Sequence, residues 1–144
     1  MKRFVLCTLV SVFICSAMPP KNSGTMEIEI TGIDNDKGSI KLAMFNSESG
    51  YPRDGKQAFR THKAGIKDKK VLIVFHDVPY GKYAIAFLHD ENDNDKMDFH
   101  FYGAPKEQYG ASNDAQGIMG PPSFEDAAFD FNKNNTRIVM KARN

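Results

Sequence analysis

The stretch VLIVFHDVPYGKYAIAFLHD, residues 71–90, decides the fold. Its two halves, 71–78 and 82–90, are rich in β-branched, aromatic and aliphatic residues, and Pro79-Tyr80-Gly81 divides them with turn chemistry. They form the clearest pair of strands in the chain. In the second half Tyr83, Ile85 and Phe87 share one face, while Ala84, Ala86 and Leu88 share the other. Apolar side chains on both faces predict a central strand covered from both sides.

Working outward, MEIEITGI (26–33) alternates, with Met26, Ile28 and Ile30 on one face and Glu27, Glu29 and Thr31 on the other. That period of two describes a half-buried strand. After the turn residues DNDKG (34–38), SIKLAMFN resumes the pattern with Ile40, Leu42 and Met44, so the two runs read as a β-hairpin. Residues 47–70 lack sustained periodicity and are expected to hold a short helix around Lys56 to Thr61. On the far side, Ser123 and Asp126 in SFEDA have the spacing of a capping box, which predicts one helical turn. AAFDF and TRIVMKA, separated by NKNN, read as the last two strands. At least six short strands with little helical periodicity predict an all-β fold, an antiparallel β-sandwich of the immunoglobulin-like or transthyretin-like kind.

The first 17 of the 144 residues have the layout of a secretory signal peptide: Lys2 and Arg3, an apolar run from Phe4 to Ile14, then small residues to Ala17. Cleavage is expected after Ala17, followed by a short linker (18–25) and a single domain (26–142). The apolar run is shorter than the roughly 20 residues that span a bilayer, so the mature chain is expected to have no transmembrane segment. A lipoprotein would be acylated at Cys15, but bulky Ile14 disfavours that processing. Both cysteines, Cys7 and Cys15, fall in the removed segment, so the mature domain relies on its core and has no disulfide. The location expected is secreted or periplasmic. The formal net charge of +1 becomes −1 without Lys2 and Arg3, and with no basic stripe nucleic acid is excluded as a partner.

Directly after the second strand comes DENDNDKMD, residues 90–98. Calcium prefers about six to eight hard oxygen ligands, and loops that hold it carry Asp or Asn at alternate positions. Asp90, Asn92 and Asn94 fill the first, third and fifth places. Lys96 is seventh, where the main-chain carbonyl serves, and Asp98 is ninth. The sixth place, commonly glycine, is Asp95, which tolerates a left-handed backbone better than most residues. The twelfth, commonly a bidentate Glu, is Phe101, and no helices flank the loop, so this is not an EF-hand. A further carboxylate must come from elsewhere, with Glu107, Asp114 and Asp126 the nearest candidates. The competing reading is a solvated turn, since Asp and Asn side chains also bond their own backbone.

Three blocks, VPYGKYAIAFLHDENDNDKMD, YGAPKEQYGASN and MGPPSFEDAAF, taken in this order, resemble domain-of-unknown-function family 2141, small secreted bacterial proteins. The resemblance covers about residues 26–142. It implies export and a β-sandwich, and no established activity. It also suggests that the three blocks form one surface. The family pattern carries Asn-Gly-Asn-Gly where this chain has Asn92-Asp93-Asn94-Asp95, an exchange that adds negative charge beside a cation site. The segment 102–123 is expected to leave from the same pole of the sandwich as an ordered loop, anchored by Tyr102, Tyr109 and Phe124. The same segment would otherwise serve only to cover a sheet edge.

The expected function is a non-catalytic binding or accessory module for an unidentified ligand or envelope protein, with a calcium-organised loop. One alternative is a hydrolase using His89, Asp90 and Glu107. Another is a structural envelope protein that associates through a sheet edge or exposed aromatics. Nothing like HExxH supports zinc, and Ser112 and Ser123 lack a nucleophile-elbow context. GYPRDGKQAF lacks the GK[ST] of a phosphate loop.

Overall fold

The computed structural model describes residues 22–144; the signal peptide and residues 18–21 of the linker lie outside them. Eight strands and one helical turn follow in order: β1 Ser23–Thr31, β2 Ser39–Phe45, β3 Arg60–Gly65, β4 Val71–Pro79, β5 Gly81–Asp90, β6 Tyr109–Ala111, α1 Phe124–Ala127, β7 Phe129–Phe131 and β8 Thr136–Lys141. They build two sheets, one ordered β4-β1-β8 and the other β3-β2-β5-β6, with β7 also pairing to β5. This is the expected all-β sandwich. Among the described residues every strand pairing is antiparallel except β1 with β8, which is parallel.

The core lies between the sheets and uses the alternating residues named above. Met26, Ile28 and Ile30 from β1 meet Ile40, Leu42 and Met44 from β2 and Tyr83, Ile85 and Phe87 from β5. β5 is central, with β2 on one edge and β6 and β7 sharing the other. Its outer face is covered as expected: Ala84 packs with Phe45, Ala111, Phe124 and Ala127 in a second cluster.

Two expected pairings are corrected. β1 and β2 are not a hairpin, and β4 and β5 are not paired; in each case the second strand crosses to the opposite sheet. Either arrangement turns each strand's apolar face to the same core, so alternation alone does not distinguish them. The connection 32–38 arches over the end of the core, with Ile33 buried beneath it. Gly38 has φ +63° and lies so close to Asp90 that an added Cβ would stand 1.9 Å from the Asp90 carbonyl oxygen. Only glycine fits there.

The helix expected near Lys56–Thr61 is corrected to one 3-10 turn, Gly55–Gln57, followed by strand β3. β3 is an edge strand, largely exposed on both faces, so it carries no apolar alternation to read. The turn at SFEDA forms as expected: Ser123 caps α1 by accepting the Asp126 N–H. β1 already begins at Ser23, inside the stretch expected as linker.

Candidate functional site

β5 ends at the Asp-rich loop, and its last residues point in opposite directions, as neighbours on a strand do. His89 is fully buried; its ring Nε2 bonds the Lys37 carbonyl at 2.8 Å. Asp90, also fully buried, turns its carboxylate into the loop. One oxygen accepts the Asn94 N–H at 3.0 Å and the other the Asp95 N–H at 2.9 Å. Glu107, also buried, repeats the device from the segment just before β6. Its two oxygens accept the N–H groups of Glu91 and Asp98, each at 3.0 Å. Two buried carboxylates therefore hold four main-chain donors of one short loop. Bonds of this kind, to a charged acceptor, are worth about 1.5–3 kcal/mol each.

Within that frame the side chains at alternate positions converge. Asn92 Oδ1 accepts the Asn94 N–H at 3.1 Å, and Asn94 Oδ1 accepts the Lys96 N–H at 2.9 Å. The amide nitrogens of both asparagines donate to the Asp98 carboxylate, at 2.7 and 3.1 Å. Asp93 and Asp95 adopt left-handed backbones, φ 56° and 68°. These are the two places where the resemblance led one to expect glycine, and the tight turn forms with Asp at both.

Charge around the loop is partly balanced by the sheet beside it. Lys41 of β2 reaches Asp90 at 3.4 Å and also bonds Asp95. Lys63 of β3 pairs with Asp93 at 2.9 Å, and the Ser39 hydroxyl donates to the same carboxylate at 2.8 Å. The Lys63 and Ser39 hydrogen bonds hold the Asp93 carboxyl below its ordinary pKa. Sequence reasoning missed Ser39, Lys41 and Lys63. Ser39 and Lys41 alternate with Ile40 and Leu42, which places them on the outward face of β2. Only the register, Ser39 opposite Asp90 and Lys41 opposite Leu88, brings them to the loop.

Of the expected site residues, Asp90, Asn92, Asn94, Lys96 and Asp98 all belong to this one constellation, and Glu107 joins them. Asp114 and Asp126 do not: Asp114 faces Arg143 at 3.8 Å, and Asp126 accepts from Ser123. His89, Asp90 and Glu107 do not meet as an acid–base set, because His89 faces away and both carboxylates are engaged by backbone. Ser112 is fully buried, accepting the Ile85 N–H at 2.9 Å and donating to the Ala127 carbonyl at 2.5 Å. Among the described residues no three His, Cys, Asp or Glu side chains group as metal ligands. The loop's oxygens are instead a mixture of amide, carboxylate and main chain.

The segment after the loop turns back along β5. β6 pairs with Ala86–Leu88, and Phe124 is buried in the outer cluster, but Tyr102 is exposed and anchors nothing in the core. Covering the β5 edge is thus one of its structural roles.

Fold and site together define a class: an all-β sandwich carrying an acid- and amide-rich rim loop, clamped by two buried carboxylates. The family described as "Uncharacterized protein conserved in bacteria (DUF2141)" matches residues 28–139. The chain belongs to that family, as its three sequence blocks led one to expect. No curated protein and no solved structure matches the chain.

Proposed function

We propose that this protein is an exported, non-catalytic binding module whose rim loop Asp90–Asp98 is organised by calcium. The observation that carries the reading is the gathering of the Asn92 and Asn94 side chains on the Asp98 carboxylate, where their amide nitrogens donate and a cation would take the donors' place. The donors suit the ion. Asn92 and Asn94 Oδ1 each accept one N–H and keep a second lone pair, Asp98 offers a carboxylate, and Lys96 offers its main-chain carbonyl. Asp90 would complete the set of hard oxygens that calcium prefers. The ion would supply positive charge to a loop whose acids outnumber the lysines beside it. Export is supported by the layout of residues 2–17. Among the described residues no helix is long and apolar enough to cross a membrane. The non-catalytic reading is favoured because the buried acids of the pole are used to hold backbone.

Calorimetric titration of the chain from Met18 onward with calcium tests this, alongside thermal melts in calcium and in chelator. At a hundredfold excess over Kd, calcium is expected to add about 2.7 kcal/mol, and Asp98→Ala is expected to abolish that gain. Absence of binding heat, with equal midpoints in calcium and chelator, would refute the reading.

A further inference from the structure

Immediately beyond Asp98 the chain builds a second, smaller device. Phe99 bridges to Pro105 across a tight hairpin. Lys106 N–H donates to the Asp98 carbonyl at 2.8 Å, His100 N–H to the Ala104 carbonyl at 2.8 Å, and Gly103 N–H to the His100 carbonyl at 2.9 Å. Glu107 ties the root through the Asp98 N–H. The result is an ordered finger, and its tip is apolar. Phe101 is 101% exposed, Tyr102 65% and Phe99 52%. Tyr102 stacks on His100 at 5.0 Å and meets Phe101 edge to face at 5.1 Å, so the rings hold one another in place.

An aromatic cluster this exposed is not the scatter of single apolar residues found on any surface. The tip is convex, so it does not enclose a small ligand; it enters something. We propose that residues 98–106 are a lipid-surface anchor, which inserts Phe101 and its neighbours among the acyl chains of a bilayer leaflet. The order of chemistry along the finger matches the order of layers it would meet. Phe101 is the most exposed, amphipathic Tyr102 and half-buried His100 adjoin it, and exposed Lys96 and Lys106 flank the hairpin in sequence, where phosphate headgroups would lie. Tyrosine favours that interfacial depth, and lysine ammonium groups complement the phosphates. The acidic loop sits at the same root and opposes anionic lipid until its charge is neutralised. Insertion itself does not require calcium, so this inference goes beyond the calcium reading and stands separately from it.

The chain contains no tryptophan, so Phe101→Trp places a single reporter at the tip. The chain from Met18 onward holds every described residue and avoids the apolar N-terminal run. With phosphatidylcholine vesicles its tryptophan emission is expected to shift to the blue and to be quenched by brominated lipid. Phe101→Ser is expected to weaken vesicle co-sedimentation roughly 10- to 100-fold, the equivalent of one phenylalanine returned to water, with an unchanged melting midpoint. Unshifted emission with every vesicle overturns the anchor. So does a shift that needs only high protein concentration, which would mean that a second copy covers the tip. Vesicles containing phosphatidylglycerol separate the two readings: calcium is expected to strengthen binding to them relative to chelator. If calcium has no effect there while the emission still shifts, the anchor stands and the calcium reading fails.

Discussion

Glu107 binds two backbone donors with one carboxylate, and a neutral amide has only one oxygen to offer them. Glu107→Gln leaves either the Glu91 or the Asp98 N–H facing another donor. We expect a loss of about 2 kcal/mol, seen as a lower urea midpoint at unchanged m-value. A loss under about 0.5 kcal/mol would show that the clamp is dispensable. Gly38→Ala should cost at least about 2 kcal/mol, since it combines a positive φ with a collision against the Asp90 carbonyl. A variant as stable as the parent would contradict the close approach. At this scale the sequence was informative about type and poor about role. The alternation Asp90, Asn92, Asn94 located the loop, and Glu107 was recognisable as a candidate. That Glu107 binds backbone, and that Lys41 and Lys63 attend the loop, depends on strand register and was not legible.

Tyr51 shows how the loop between β2 and β3 serves the fold. Its ring packs edge to face on Phe45 at 5.3 Å and on Phe124 at 5.8 Å, tying that loop to α1 over the outer face of the β5 sheet. Its hydroxyl is buried without a hydrogen-bond partner among the described residues. Burial, aided by the charge of Asp126, pushes the phenol up to about 12. Tyr51→Phe keeps the packing and removes an unsatisfied hydroxyl, so it should stabilise the protein by up to about 1 kcal/mol. A loss of 1 kcal/mol or more would mean that the hydroxyl has a role. Phenolate absorbance of the parent should show one of the five tyrosines titrating near 12, and the variant should lack that step. β1, β2, β4, β5, β7 and β8 were readable from sequence as apolar or alternating runs. β3 and β6 were not, because an exposed edge strand and a three-residue strand draw their order from a neighbour's hydrogen bonds.

Across the whole molecule, shifted groups set the pH limits of stability. Asp93 and Glu29 have pKa values lowered in the fold, by hydrogen bonds from Lys63 and Ser39 and from Arg137 respectively. Their contribution is present above the ordinary carboxylate range, near 4, and is lost as pH falls through the folded values. Tyr51 has a raised value, so its contribution is present below about pH 10, where unfolded tyrosine begins to ionise. It is lost as the pH rises toward 12. Melts in a pH series should therefore decline at both ends, and salt should weaken the acid-side effect, since those ion pairs are exposed. An acid limb indifferent to both salt and Asp93→Asn would show that these pairs add nothing.

The sequence by itself determined the fold class, the inward faces of β1, β2 and β5 and the place of the acidic loop. Those features follow from periodicity and from local oxygen chemistry, which each segment carries alone. Only the tertiary structure decided which strands are neighbours, that consecutive strands arch across the core, and which lysines and carboxylates frame the loop. An arch and a hairpin bury the same apolar face, so the choice between them rests on how the whole chain closes over its core.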